Sequence, residues 1–427
     1  MFSGHKAVLG ENYEDTFDIT VKAEDFKFGI ERTLSEQTGS ADAPLFSAVK
    51  SISTPDDFTI VFNLSYADDN FLYALTNPGA MPCDEEFFNL TNGKYGLDAK
   101  YLLCNGPFHV SKWTEKTSVK LAKNNEYNGE SSVSPSSVTF YINNDDSEVA
   151  DKMNSVTYDV AFLSSSQFSS IENKKDLNSV AVQNVTYSFI FNQNDNNYRN
   201  KNMRLAFCRS CDTSSLFDSQ SDISKADGIV PPSCKIGGED YRNGNAAELL
   251  SYDETLAKKN FNDALLELGS SSVETTILCT EQYESFVKQM VQKLQKTLGV
   301  KFVSTVKVVS ESDLEAAVND GNYSVAFYPF KAKSSFAGEI IEGFDQNNIF
   351  GYESDVLSQK IRNIKNNSGS LEGERSAVAD AENYLVSEAV IMPVFYENSY
   401  FVTSKKTSGI YFYSSADNVC FINAKKS

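Results

Sequence analysis

Histidine is almost absent from this chain, since His5 and His109 are the only two among 427 residues. Catalysis that relies on a histidine base is therefore nearly excluded, and the sequence has no GxSxG, HExxH or GxxxxGK motif. Short acidic pairs such as Asp56-Asp57 are typical of solvated turns. A hydrolase that uses carboxylates alone stays open as a weakly supported hypothesis. We expect no catalytic residue, no metal and no cofactor.

Basic residues are also scarce, because 38 Lys and Arg stand against 58 Asp and Glu, a net charge of −20. Nucleic-acid binding needs a basic face and is not expected. No apolar run approaches the roughly 18–20 residues of a membrane span. The N-terminus has neither the basic start nor the apolar stretch of a signal peptide. The protein is therefore either cytoplasmic or represented by a chain that lacks its native beginning.

Seven cysteines are an odd number for a disulfide framework. Cys83 and Cys104 flank one segment and can form a disulfide. Cys208 and Cys211 have CxxC spacing, but no second CxxC and no histidine pair accompanies them. A disulfide or plain buried thiols are favoured for this motif, and thiol redox chemistry and a metal site stay open as alternatives.

Hydrophobic residues make up 41% of the chain, enough for a buried core in about two or three domains. A hairpin is predicted over residues 105–123, around the only tryptophan, Trp113. Beyond it, strands and helices alternate, which favours a mixed α/β sheet. Further strands are predicted at 58–64, 138–142, 159–163, 186–192, 273–278, 300–309, 323–328 and 391–396. Helices are predicted at 23–34, 147–153, 203–208, 253–268, 283–298, 313–319 and 375–387.

Aromatic residues recur at the ends of the predicted strands, among them Tyr328, Phe330, Phe395 and Tyr396. Small ligands commonly bind at strand ends in α/β sheets. Two interpretations stay open for each ring, namely that it contacts a ligand or that it fills the core.

Seven short motifs occur in the order in which a known family carries them. They are VKAEDF from Val21, DDFTIVF from Asp56, NGPFHVSKW from Asn105, NEY from Asn125, Phe191-Asn192 with MRLA from Met203 and Asp212, VPP from Val230, and MPVF from Met392. With these motifs the chain resembles the extracellular solute-binding proteins of family 5, the oligopeptide- and dipeptide-binding proteins of ABC importers. Each motif is weak alone, and their shared order makes the resemblance specific.

The resemblance implies an α/β fold of the two-lobed periplasmic-binding-protein-like type (type II, peptide-binding class) with an extra supporting domain. Residues 1–129 would be the remainder of domain II, the supporting domain. Residues 130–230 with 406–427 would form the domain I lobe, and residues 231–405 the domain III lobe. Because relatives carry well over fifty residues before the VKAEDF-like motif, we expect this chain to be an N-terminally shortened form, without its signal.

The resemblance also implies ligand-contacting positions. Asn192 matches an asparagine beside the peptide backbone, and Tyr328, Phe330, Phe395 and Tyr396 match segments that line the cleft. Relatives that bind the α-amine of a peptide use an Asp after a domain III strand, and the matching segment here has no acid. Lys331 and Lys333 stand there instead, and either Lys331 pairs with a ligand carboxylate or both lysines are solvated.

The function implied is that of the substrate-binding component of an ABC transporter. Such a protein is extracellular and lipid-anchored in its full-length form, binds a peptide or related small solute, docks on a membrane permease, and is expected to be a monomer. The alternative is a surface interaction or chaperone-like protein that keeps the fold without transport.

Overall fold

A computed structural model describes residues 1–4, 20–40, 42–66, 71–129, 132–142, 146–213, 216–217, 221–332, 335–345, 348–367, 369–413 and 418–427. His5 and Lys333 lie outside the described residues. The chain forms two compact units. Unit 1 comprises Met1–Asp146, Lys406–Tyr411 and Cys420–Ser427, and unit 2 comprises Ser147–Lys405 and Phe412–Val419. The predicted division into 1–129, 130–230 with 406–427, and 231–405 stays a prediction.

Unit 1 is built from short strands and helices. Its strands include β1 (Ser3–Gly4), β2 (Val49–Asp56), β3 (Thr59–Leu64), β4 (Leu103–Cys104), β5 (Phe108–Thr114), β6 (Ser118–Lys123) and β7 (Ser137–Tyr141). Its helices include α1 (Ala23–Leu34), α2 (Phe71–Ala74) and α3 (Glu85–Leu90). The predicted hairpin is confirmed, since β5 pairs with β6 in antiparallel register and β7 extends the sheet.

Unit 2 holds most of the regular structure, and the helix α4 (Asp146–Asn154) leads into it. Its strands include β8 (Val160–Ser164), β9 (Leu177–Val182), β10 (Val185–Phe191), β11 (Ile223–Lys225), β12 (Lys235–Ile236), β13 (Glu239–Asp240), β14 (Val273–Thr280), β15 (Phe302–Val309), β16 (Val325–Lys331), β17 (Ile391–Glu397) and β18 (Ser399–Ser404). Four shorter strands follow toward the C-terminus. Of these, β19 (Thr407–Ser408) and β22 (Lys425–Lys426) belong to unit 1, and most of β20 (Tyr411–Tyr413) and of β21 (Asn418–Cys420) belongs to unit 2.

The helices of unit 2 pack on the faces of its sheets. They include α5 (Ser165–Ser170), α6 (Asn196–Arg199), α7 (Lys201–Arg209), α8 (Glu254–Leu268), α9 (Glu284–Leu298), α10 (Glu311–Asn319), α11 (Gly338–Glu342), α12 (Asp355–Asn366) and α13 (Leu371–Ser387). Asp253 caps α8 by accepting from the Leu256 N–H, and Gly269 ends that helix in the left-handed conformation with φ 63°. None of the helices in the described ranges is long and apolar enough to span a membrane.

The main sheet has six strands in the order β11-β17-β10-β16-β14-β15. The strands β14, β15 and β16 are parallel, and their crossovers run through α9 and α10. In contrast, β10 is antiparallel to both of its neighbours, β16 and β17. One face of this sheet packs on a core with α7, α8 and α9, and the opposite face packs on a core with α11, α12 and α13.

A second sheet in unit 2 has three antiparallel strands in the order β8-β18-β9. A small apolar core that includes Met153, Leu163, Ile171, Leu177 and Val402 lies against it. The chain passes between this sheet and the main one twice, from β9 into β10 and back from β17 into β18. Two short connections therefore join these two sheets of unit 2.

Candidate functional site

The carboxyl ends of several strands meet at one edge of the main sheet. Parallel pairing directs the ends of β14, β15 and β16, at Thr280, Val309 and Lys331, the same way. Because β10 is antiparallel to its neighbours, its first residue, Val185, lies opposite Lys331. The last residues of β17 lie at this edge too, since Tyr396 pairs with Thr186. We call it the carboxyl edge, and such edges are where ligands bind in open α/β sheets.

The structure brings four of the six ligand-binding candidates to the carboxyl edge. Phe330 and Lys331 lie at the end of β16, and Phe395 and Tyr396 lie at the end of β17. Tyr328 lies in the middle of β16, opposite Ser188 of β10, because the strand continues three residues beyond its predicted end. The part that each side chain plays toward a ligand stays a prediction.

Phe395 and Phe330 are core residues on opposite faces of the sheet. The ring of Phe395 is fully buried, with ring centroids of Tyr283 and Phe286 each 5.2 Å away. Phe330 is 8% exposed and stacks on Phe344 at 5.7 Å. These rings therefore fix the ends of β16 and β17 in place.

The two tyrosines differ in how much they expose. Tyr396 is buried, and its hydroxyl accepts from the Asp227 N–H (3.0 Å) and donates to the Val230 carbonyl (3.5 Å). Burial raises the pKa of Tyr396, so its phenol stays protonated. Tyr328 is half-buried, and burial raises the pKa of its phenol as well. Of the four candidate rings, Tyr328 is the one that remains partly accessible.

Lys331 is exposed at the end of β16. The strand carries it to the carboxyl edge, where an ammonium group can meet a ligand carboxylate. Both interpretations of Lys331, as a ligand contact and as a solvated side chain, stay predictions.

Asn192 lies apart from the other candidates. It follows β10, whose last residue Phe191 pairs with Val325 at the start of β16, so it lies at the opposite edge of the sheet. Its amide nitrogen Nδ2 donates to the carbonyls of Gly321 (2.8 Å) and Tyr323 (2.7 Å). Its Oδ1 accepts from the Asn194 N–H at 3.0 Å. The buried side chain thus holds the loop that precedes β16.

One feature of the carboxyl edge was not predicted from the sequence, namely a hydrogen bond between a tyrosine hydroxyl and a carboxylate. The Tyr283 hydroxyl donates to Glu397 Oε1 at 2.7 Å, and the ring of Tyr187 lies 4.4 Å from that of Tyr283. Burial, followed by the charge of Glu397, raises the pKa of Tyr187. Burial also raises the pKa of Tyr283. The only sequence signal was an acidic residue at the end of a β-like run.

An open cavity of about 570 Å³ lies at the same edge. The ends of β14 and β15 and the starts of the helical segments after them form its walls: Thr280, Glu281, Gln282, Val308, Val309, Ser310, Glu311 and Asp313. Three of the lining residues are acidic, whereas Val308 and Val309 are apolar. This part of the edge therefore offers both polar and apolar surface.

The cysteines are thiols in this structure. Cys83 and Cys104 are both free, and their predicted disulfide stays a prediction. Burial raises the pKa of Cys208 and of Cys211 to about 12, so both stay protonated at neutral pH. Within the described ranges, no group of three or more His, Cys, Asp or Glu side chains is placed to hold a metal ion.

Several solved structures share this fold over nearly the whole chain. The periplasmic binding protein DppA from Helicobacter pylori, in complex with the peptide STSA, matches with TM-score 0.78 at 18% identity, over 100% of this chain and 84% of that chain. Listeria monocytogenes OppA bound to peptide matches with TM-score 0.75 at 21% identity, over 95% and 84%. The fold is therefore that of the ABC-transporter solute-binding proteins, and the predicted α/β class is confirmed.

Sequence comparison shows the family. The model of the bacterial extracellular solute-binding proteins, family 5 (middle), matches residues 16–350. The chain belongs to this family, as its motifs predicted. Among curated proteins, the dipeptide-binding protein DppE of Bacillus subtilis (strain 168) is 23% identical over 425 residues, 94% of this chain and 77% of that protein.

Proposed function

We propose that this protein captures short peptides outside a bacterial cell and delivers them to an ABC permease. The observation that carries the proposal is the match to a dipeptide-binding protein over 94% of this chain. Peptide ligands in the Listeria and Helicobacter structures support it further. Because extended peptides are gripped mainly through backbone groups, a site of this kind accepts many side chains.

Within this proposal the carboxyl edge of the main sheet receives the ligand. Tyr328 packs against it, and Lys331 meets its terminal carboxylate. Phe330, Phe395 and Tyr396 support the ends of their strands from within the core. Asn192 acts indirectly, because a bond from its side chain to the ligand would require breaking the internal bonds that hold the loop before β16.

The proposal is tested by thermal unfolding of the full-length protein with a library of peptides of two to eight residues. A ligand that binds only the native state at 100 times its Kd adds about 2.7 kcal/mol to the free energy of unfolding. We expect at least one peptide class to raise the unfolding temperature. If no peptide does so while the protein is folded, peptide binding is refuted and the surface-interaction alternative gains support.

The role of Lys331 is tested with matched peptides. Amidation of the C-terminus should weaken binding to the native protein about tenfold, as expected for the loss of a charge-assisted contact. In Lys331→Gln the free and amidated peptides should bind alike. The matched control is Lys307→Gln, which changes an exposed lysine on β15. If amidation has the same effect in Lys331→Gln as in the native protein, Lys331 does not hold the carboxylate.

We also infer that the full-length protein is lipid-anchored at the cell surface and has no catalytic activity. The family is an extracellular solute-binding class, which supports both inferences. Mass spectrometry of the mature protein from cells would identify the anchor as a diacylglyceryl-modified N-terminal cysteine. An unmodified N-terminus would refute the anchor.

A further inference from the structure

The two connections between the sheets of unit 2 are very short. Gln183 and Asn184 lie between β9 and β10, and Asn398 alone lies between β17 and β18. The connections run side by side, because β9 pairs with β18 on one side of them and β10 pairs with β17 on the other. Any change in the angle between the two sheets must therefore be absorbed at these three residues.

Three side chains from distant parts of the chain tie the connections together. Gln183 Nε2 donates to Asn398 Oδ1 at 2.7 Å and to Ser224 Oγ at 2.8 Å. Ser224 Oγ in turn donates to Asn398 Oδ1 at 3.1 Å. Ser224 lies on β11, the edge strand that pairs with β17. We call Gln183, Ser224 and Asn398 the polar clamp.

Asn398 also bonds to both sheets through its other polar groups. Its N–H donates to the Asp222 carbonyl at 2.7 Å, and its Nδ2 donates to the Ser221 carbonyl at 3.0 Å, both just before β11 of the main sheet. Its own carbonyl accepts from the Ser165 N–H at 3.3 Å, at the start of α5, which follows β8 of the three-stranded sheet. The Asp222 carboxylate adds a second link by accepting from the Ser166 N–H.

We propose that the polar clamp sets the angle between the two sheets of unit 2 and limits the hinge movement around it. Hinge closure requires large φ and ψ changes at a few connecting residues. Here those residues are held by side-chain bonds that must break or rearrange first. Gln183, Ser224 and Asn398 are therefore positioning residues for lobe closure, which is the movement that the proposed function uses.

The test is made on the ligand-free protein, so that a negative result for the polar clamp can be distinguished from a failure of peptide binding. Gln183→Leu removes both donated bonds of the clamp. Because two hydrogen bonds of the clamp are lost, we expect amide exchange at Ser165, Ser166 and Asn398 to accelerate about tenfold. The matched control is Gln359→Leu, since Gln359 is exposed on α12 and donates only to Asn363 among the bonds described.

A distance measurement gives a second readout. Spin labels attached through non-natural residues at the exposed positions 172 and 307 report on the two sheets. In Gln183→Leu the distance distribution should broaden, and in the control Gln359→Leu it should stay narrow. Ser224→Ala provides an independent, smaller change if a larger variant fails to fold. Exchange rates and distances that match those of Gln359→Leu in both Gln183→Leu and Ser224→Ala would overturn the proposal.

Discussion

A buried ion pair between Glu382 and Arg242 offers the sharpest test of how unit 2 is held together. Glu382 is 1% exposed, and both of its oxygens are used. Oε1 accepts from the Val230 N–H at 3.0 Å and from Arg242. Oε2 accepts from the Tyr241 hydroxyl at 3.0 Å and from Arg242 at 2.9 Å. One carboxylate thus joins α13 to Val230, which precedes β12, and to Tyr241 and Arg242, which directly follow β13.

Replacing Glu382 alone should strongly lower the stability of the protein. Glu382→Ala leaves the guanidinium of Arg242, whose side chain is 9% exposed, without its counter-charge. Breaking a buried pair from one side costs about 3–5 kcal/mol of stability. Replacing both members with apolar residues, as in Arg242→Met with Glu382→Leu, leaves no buried charge. We expect the double variant to be at least about 2 kcal/mol more stable than Glu382→Leu alone.

Urea unfolding followed by circular dichroism measures these differences. Trp113, the only tryptophan, lies in unit 1, so its fluorescence separates that unit from unit 2. The control is Glu254→Ala, which removes the exposed pair with Lys258 and should leave the midpoint unchanged. A loss below about 1 kcal/mol for Glu382→Ala, or a double variant that loses the sum of the single changes, would refute the reasoning.

Three further predictions concern other buried groups. Arg204 donates to four backbone carbonyls, so Arg204→Met should lower the unfolding free energy by about 2–4 kcal/mol in urea titrations, and an unchanged midpoint would contradict this. Asn192→Ala should cost about 1–3 kcal/mol in the same assay and accelerate amide exchange in the loop before β16; unchanged exchange would show that its bonds do not hold that loop. Because burial raises the pKa of Cys208 and Cys211 from 9.0 to about 12, their contribution to stability is complete below pH 9 and falls as the pH rises toward 12. A double Cys→Ser variant should show a shallower loss over that range than the native protein, and native thiols that iodoacetamide alkylates at pH 8 would refute the argument.

Local signals explain what could be predicted from the sequence. The hairpin of β5 and β6 follows the turn at residues 105–107, and α8 lies between a capping Asp253 and Gly269, so both were predicted close to their observed bounds. In contrast, β18 was missed because a single residue separates it from β17. The helix α12 was missed although Leu357, Ile361 and Ile364 form a buried helical stripe. This helical spacing of apolar residues is visible in the sequence, so α12 could have been predicted.

Non-local pairing explains what could not be predicted. Nothing in the pattern of residues 185–191 shows that this strand lies antiparallel between β16 and β17. The candidate site could be predicted only in part for the same reason. A sequence indicates where each strand ends, but it does not indicate at which edge of the sheet that end lies. Four candidates therefore share the carboxyl edge, Tyr328 lies in the middle of its strand, and Asn192, chosen by the same resemblance, lies at the other edge.

The position of β17 and β18 in the chain has a consequence for the order of folding. Tyr187 of β10 pairs with Phe395 of β17, more than two hundred residues later, and β18 is the central strand of the three-stranded sheet. The six-stranded and the three-stranded sheet of unit 2 thus both require one segment, residues 391–404, which is synthesised after all their other strands. Contacts this distant in sequence form slowly. A nascent chain cannot complete either sheet before that segment emerges, so unit 2 becomes native only after residues 391–404 have been synthesised.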